Sequence, residues 1–228
     1  MTDIEQQQQR YYNQRAGEYE LMYSLNDERF LSDIVASEQT VRAVMQGRQV
    51  LEVACGTGHW SEVVADVAQQ VVATDASAEV LAVARAMNRE TGNVEFRLAD
   101  AYALHEVAGD FDAGLAMFWV SHVPKARLGE FLDGFHRRLG SGAVVFMADE
   151  VDVPGAGVVE GKPGTADTFQ ARELNDGSRY EIIKNFYDER QLRQLLADRA
   201  TDLKIGTLNH LWWVSYTVRL GIGQPLGN

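Results

Sequence analysis

The sequence predicts a doubly wound α/β fold, and two observations carry that expectation. First, residues 50–60 (VLEVACGTGHW) set an apolar strand, Val50, Leu51 and Val53, directly before a turn at Gly56, Thr57 and Gly58. From Trp60 the apolar spacing turns helical, through Val63, Val64, Val67 and Ala68. Second, short apolar strands alternate with helical patterns as far as residue 150, as a mainly parallel sheet between helices requires.

Taken in chain order, residues 1–46 read as helices, because Phe30, Leu31, Ile34 and Val35, then Val41, Val44 and Met45, recur at helical spacing. The strand and glycine turn follow. Without side chains, Gly56 and Gly58 can take positive φ and let a ligand approach the backbone closely. Two details separate this corner from a dinucleotide site: Ser61 stands where a third glycine belongs, and Glu52 sits inside the strand. That carboxylate repels a pyrophosphate and suits a cationic amino acid. A second strand over 70–74 ends in Asp75, placed to accept ribose hydroxyls and followed by Ala76 and Ser77. A third, over 94–98, ends in Asp100, Ala101 and Tyr102, and a fourth, over 111–118, ends in Met117 and Phe118 and runs into Trp119 and His122. A helix over 125–139 buries Leu128, Phe131, Leu132, Phe135 and Leu139; Gly140 and Gly142 stop it before a fifth strand over 143–148. Residues 151–179 are polar and glycine-rich and read as an inserted loop. A strand over 180–187, a helix over 188–199 and a last strand over 208–219 complete the pattern.

The spacing E-x-x-C-G-x-G, carried by Glu52, Cys55, Gly56 and Gly58, resembles the first motif of the class I S-adenosylmethionine (SAM)-dependent methyltransferases. The acids at Asp75 and Asp100 fall where that family's later motifs fall. The resemblance implies a seven-stranded, mostly parallel sheet whose last strand is antiparallel, with 180–187 as its sixth strand. It implies a helical lid over residues 1–46 and a core over 47–228 with a substrate-covering insertion at about 151–179. It also implies SAM as cofactor, bound through Tyr19, Glu52, Ala54, Cys55, Gly56, Thr57, Gly58, Trp60, Asp75, Ala76, Ser77, Asp100, Ala101, Tyr102, Met117 and Phe118. Asp75 would take the ribose, Asp100 the adenine amino group, and the glycine turn would underlie the methionine part. Tyr11, Tyr12 and Tyr19 resemble the lid tyrosines of small-molecule methyltransferases.

Composition narrows the partners. The formal net charge is -12, with 21 basic against 33 acidic residues, which argues against nucleic acid as substrate. One cysteine fits a reducing, cytoplasmic setting, and no apolar run is long enough to span a membrane. Cys55 reads as a small packing residue, not a nucleophile. A small-molecule methyl acceptor, a monomer or homodimer, and no metal are therefore expected. His122, just past the fourth strand, is the expected base, titrating near pH 6.5; His210 is its rival. Tyr11, Tyr12, Trp119, Glu150, His210 and Trp212 are the expected acceptor contacts. The expected reaction is methyl transfer to O or N of a metabolite or natural-product intermediate. A catalytically silent SAM-binding protein and a nicotinamide-dependent oxidoreductase are the alternatives.

Overall fold

The computed structural model describes residues 3–15, 28–153 and 159–219. Two amino-terminal helices, α1 (Asp3–Arg15) and α2 (Glu28–Met45), precede the sheet. The alternating core follows as β1 (Gln49–Val53), α3 (His59–Ala65), β2 (Gln70–Asp75), α4 (Ala78–Met87), β3 (Val94–Leu98), β4 (Ala113–Met117), α5 (Leu128–Leu139) and β5 (Val144–Glu150). Next come three short strands, β6 (Val159–Gly161), β7 (Thr168–Glu173) and β8 (Arg179–Ile183). Helix α6 (Glu189–Leu196) and the hairpin β9 (Ala200–Thr207) and β10 (Leu211–Val218) end the described chain.

Seven strands form the main sheet in the order β3-β2-β1-β4-β5-β10-β9. The first five run parallel, and β10 pairs antiparallel with β5 and with β9. The expected antiparallel last strand is therefore present. Chain direction across the sheet reverses between β1 and β4, so loops leaving their carboxyl ends diverge and open a crevice there.

Both faces of the sheet are covered. One layer packs Phe30, Ile34, Val41 and Met45 of α2 against Val50, Val63, Val64 and Val71. The other packs Phe131, Leu132, Phe135 and Leu139 of α5, with Leu192 and Leu196 of α6, against Leu51, Val145 and Val214. Spacing explains both: helical spacing in α2 and α5 lines their apolar residues on one side. The second contact is close, since a Cβ at Gly114 of β4 would stand 2.5 Å from Phe135 Cζ.

Three expectations need correction. The strand expected over 180–187 is not the sixth strand of the main sheet. Its ordered part, β8, pairs with β7 in a separate three-stranded antiparallel sheet of order β6-β7-β8. The missing main-sheet strand is β9, an edge strand whose half-exposed sequence ATDLKIGT carries too weak an apolar pattern to be read. The stretch 151–179 is not simply a loop, because it supplies β6 and β7 to the small sheet. Finally, α2 packs in the core, so among the described residues of 1–46 the expectation of a cover falls on α1.

Candidate active site

A cavity of about 530 Å³ opens at the carboxyl ends of β1 and β4, at the point where the strand order reverses. Its two halves are built differently.

One half is made by strand tips. Two non-glycine residues on its wall, Ala54 after β1 and Phe118 after β4, hold φ at 54°, a conformation L side chains rarely adopt. Gly56 (φ 58°) and Gly58 (φ 88°) complete the turn after β1. A Cβ at Gly58 would lie 2.6 Å from Asn88 Nδ2 and 3.1 Å from Phe96, so the position takes only glycine. Asp75, at the tip of β2, clamps this turn. Its Oδ2 accepts the Gly56 N–H at 3.1 Å and its Oδ1 the Ser77 N–H at 2.9 Å. Burial pushes the Asp75 carboxyl above its ordinary range, against those backbone N–H bonds. Ser77 then caps α4 by accepting from the Val80 N–H at 3.1 Å. Asp100 stands opposite and accepts the Tyr102 N–H at 2.9 Å.

The other half is made by side chains from distant parts of the sequence. Trp119 leads into a 3₁₀ turn at Val120–His122, whose Ser121 N–H donates to Asp149 Oδ2 at 2.8 Å. Helix α1 lies across the opening. Gln8 donates to the His122 carbonyl at 3.0 Å and accepts the Ile183 N–H at 3.1 Å; Gln9 donates to the Ala76 carbonyl at 3.3 Å. Glu5 pairs with Arg127 at 2.7 Å, and that guanidinium lies 3.5 Å over the Tyr102 ring.

His122 faces the cavity beside Tyr12, but its electrostatics differ from the expectation. Burial, reinforced by the Lys184 ammonium, pushes its imidazole down to about 3. The ring is therefore neutral at physiological pH, and the expected titration near 6.5 does not occur. Its Nδ1 lies 2.8 Å from the Ile183 carbonyl and its Nε2 2.8 Å from Tyr12 Oη.

Of the expected site residues, Ala54, Gly56, Asp75, Ala76, Ser77, Asp100, Ala101, Tyr102, Phe118, Trp119, Tyr12 and His122 line this cavity together. Cys55, Thr57, Gly58, Trp60 and Met117 do not line it; they are buried beneath its wall. Glu52 is also beneath. It is 1% exposed, takes the Ser61 hydroxyl hydrogen at 2.5 Å, and burial pushes it up to about 8. Four expected acceptor contacts stand elsewhere. Trp212 is buried in the main core because its face of β10 meets α5 and α6. Tyr11 packs with Leu174 and Ile182 under α1. Glu150 turns to the buried Lys184 ammonium at 2.9 Å. His210 sits in the β9–β10 turn, its N–H donating to Asp33 at 2.6 Å. Tyr19 lies outside the described residues.

The sequence reading passed over Glu5, Gln8, Gln9, Asn13 and Arg127, all on the cavity wall. The glutamine run at 6–9 is the available signal for two of them. Arg127 carried none, since an arginine before a helix is ordinary surface.

Residues 50–142 match a family model described as a methyltransferase domain. A ubiquinone biosynthesis O-methyltransferase of Xanthomonas axonopodis pv. citri (strain 306) is 41% identical over 80 residues, 34% of either chain. The corresponding protein of Agrobacterium fabrum (strain C58) is 33% identical over 105 residues, 46% of this chain and 41% of that one. The chain thus spans well under half the length of the curated relatives it matches. A solved DhpI–SAM–HEP complex superposes with a TM-score of 0.76 at 26% identity, covering 95% of this chain and 98% of that one. A DhpI–SAH complex (SAH being S-adenosylhomocysteine, the demethylated form of SAM) gives 0.72 at 27%, over 94% and 97%.

Proposed function

Residues 50–142 being a methyltransferase domain of the class I, SAM-dependent type, we propose that the chain transfers the methyl group of SAM to an oxygen or nitrogen of a small molecule. The single observation carrying this reading is the continuity of one cavity, from the strand-tip half to the aromatic half under α1. Its volume of about 530 Å³ suits a small ligand.

The strand-tip half fits SAM by its donor set. Glu5, Asp75, Asp100 and Glu106 on the wall face a single cation, Arg127, which is itself paired, so the site favours a positively charged ligand. Asp75 accepts the Gly56 and Ser77 N–H groups, with Ala76 contributing a further backbone bond, and a carboxylate with roughly four lone-pair positions keeps capacity for a ligand hydroxyl. In this reading Asp75 holds the ribose, Asp100 the adenine amino group, and the turn at Gly56 the methionine part. When bound, SAM supplies a methyl group already activated by its sulfonium, so alignment and exclusion of water are the protein's main tasks. Helix α1 excludes water, while Phe118 and Trp119 wall the acceptor. The O-methyltransferase names of the relatives favour oxygen as the acceptor atom. The charge of -12 supports a metabolite over a nucleic acid, and the single cysteine a cytoplasmic setting.

Incubation with methyl-labelled SAM and a panel of phenols, carboxylic acids and amines tests the proposal. Label in one acceptor, with SAH released in equal amount, is the expected result. Binding of NADH with no binding of SAH would overturn it in favour of an oxidoreductase.

A further inference from the structure

Three consecutive residues at the end of β8 grip the turn that follows β4. The Ile183 carbonyl faces His122 Nδ1 at 2.8 Å, and the Lys184 ammonium donates to Ser121 Oγ at 3.1 Å. Asn185 donates its backbone N–H to the Ser121 carbonyl at 2.8 Å and its side-chain amide to the Val123 carbonyl at 3.1 Å. Of the three only Lys184 is charged, and it is 2% exposed. Its other neighbours are the acids that end β5, Glu150 Oε2 at 2.9 Å and Asp149 Oδ1 at 3.5 Å. Asp149 closes the circle by accepting the Ser121 N–H at 2.8 Å. Stability alone does not call for such a cluster, because an apolar side chain of similar volume often holds a buried site as well as an ion pair or better. What the ammonium adds is direction and field. Its charge stands beside the His122 imidazole, and the other titratable groups around that ring are Arg172 on β7, Glu150 and the Tyr12 hydroxyl on α1.

From this geometry, and resting on the methyltransferase reading above, we propose that Lys184 is a positioning residue acting through the turn at Ser121, His122 and Val123. Its ammonium ties that turn to the end of β5 and so fixes where His122 stands on the cavity wall. Glu150 serves the site indirectly, by balancing the buried charge. A positive charge behind His122 also opposes a proton on the ring, and an uncharged ring does not repel the cationic sulfonium of SAM. Removing the ammonium reverses this, since Glu150 is left near the imidazole without its counter-charge.

Nuclear magnetic resonance on SAH-loaded protein with ¹⁵N-labelled histidines tests the proposal, the His122 ring being assigned by its absence in His122→Asn. The wild type is compared with Lys184→Met, with Lys184→Arg, and with Lys184→Met combined with Asp149→Asn. The double variant guards against misfolding, because it leaves no unpaired acid at position 149. In the wild type the His122 ring should stay neutral, with its hydrogen on Nδ1, down to pH 5. In the methionine proteins its titration midpoint should rise by at least about one pH unit. The Nδ1 hydrogen, held to the Ile183 carbonyl in the wild type, should there exchange with water at least about tenfold faster. Lys184→Arg keeps the charge and should hold the wild-type midpoint, with exchange within about threefold of the wild type. A midpoint and exchange rate unmoved by methionine, or moved equally by arginine, would overturn the proposal. So would a wild-type ring charged at pH 7, or failure of both methionine proteins to fold, which would make the role of Lys184 purely structural. A wild-type protein that does not bind SAH would instead sink the methyltransferase reading on which the proposal rests.

Discussion

The two halves of the cavity are held by interactions of very different reach along the chain. In the strand-tip half, Asp75 holds Gly56 across 19 residues and Asp100 holds Tyr102 across two. In the half under α1, the proposed acceptor half, Tyr12 meets His122 across 110 residues and Gln8 meets Ile183 across 175. The first half is one supersecondary unit repeated, a strand whose tip turns into a helix or loop. The second is a meeting of α1, the turn after β4 and the small sheet, none of which specifies the others. The lesson is that the proposed cofactor side is written in local pattern and the proposed acceptor side in tertiary contact.

Four changes probe that contrast. The largest effect is expected from Gly56→Val, where a β-branched side chain opposes a φ of 58° and enters the ligand's space. SAH affinity should fall by more than about a hundredfold in calorimetric titration, with the circular dichroism spectrum retained. Asp75→Ala comes next, because it removes the proposed ribose acceptor and releases the Gly56 and Ser77 N–H groups together. A loss of roughly 2–4 kcal/mol in SAH binding is expected. Unchanged affinity would remove Asp75 from the site.

Glu52→Gln separates stability from binding in the same half. The native carboxyl titrates at about 8 against an ordinary 4.5, so the folded state holds this proton more tightly than the unfolded chain. Stability should therefore decline as pH rises from about 4.5 to about 8 and stay low above that. Glutamine keeps the Ser61 hydrogen bond without titrating, so it should flatten that decline and gain roughly 1–3 kcal/mol at about pH 9. Denaturant melts at several pH values would check it; a parallel pH dependence in both proteins would contradict it.

The smallest effect belongs to the other half. Gln8→Leu strands the Ile183 N–H and removes the bond to the His122 carbonyl that holds the middle of α1, at a local cost of about 1–3 kcal/mol. Limited proteolysis should cut α1 faster in this variant, and SAH should slow the cutting in the wild type. Equal rates in all cases would make α1 a fixed packing helix and not a cover.

Legibility followed the same division. That Gly56, Asp75 and Asp100 share one cavity wall is legible because a strand, a turn and an acid at its end are neighbours in sequence. Strand β9 was missed because an edge strand needs no continuous apolar run. Strand β8 was placed in the wrong sheet because pairing partners leave no local mark. His122 was found by its place after β4, but its neutrality comes from burial under α1 and from Lys184, which spacing cannot reveal. Trp212 fits a ligand wall as readily as a core in sequence; only the packing of α5 and α6 on β10 decides.

The contrast between the halves is tested most directly by titrating SAH into Asp75→Ala and Tyr12→Phe side by side. Binding should be lost or cut by more than about thirtyfold in the first and stay within about threefold of the wild type in the second. Equal losses in both proteins would contradict a cofactor half that stands independently of the acceptor half.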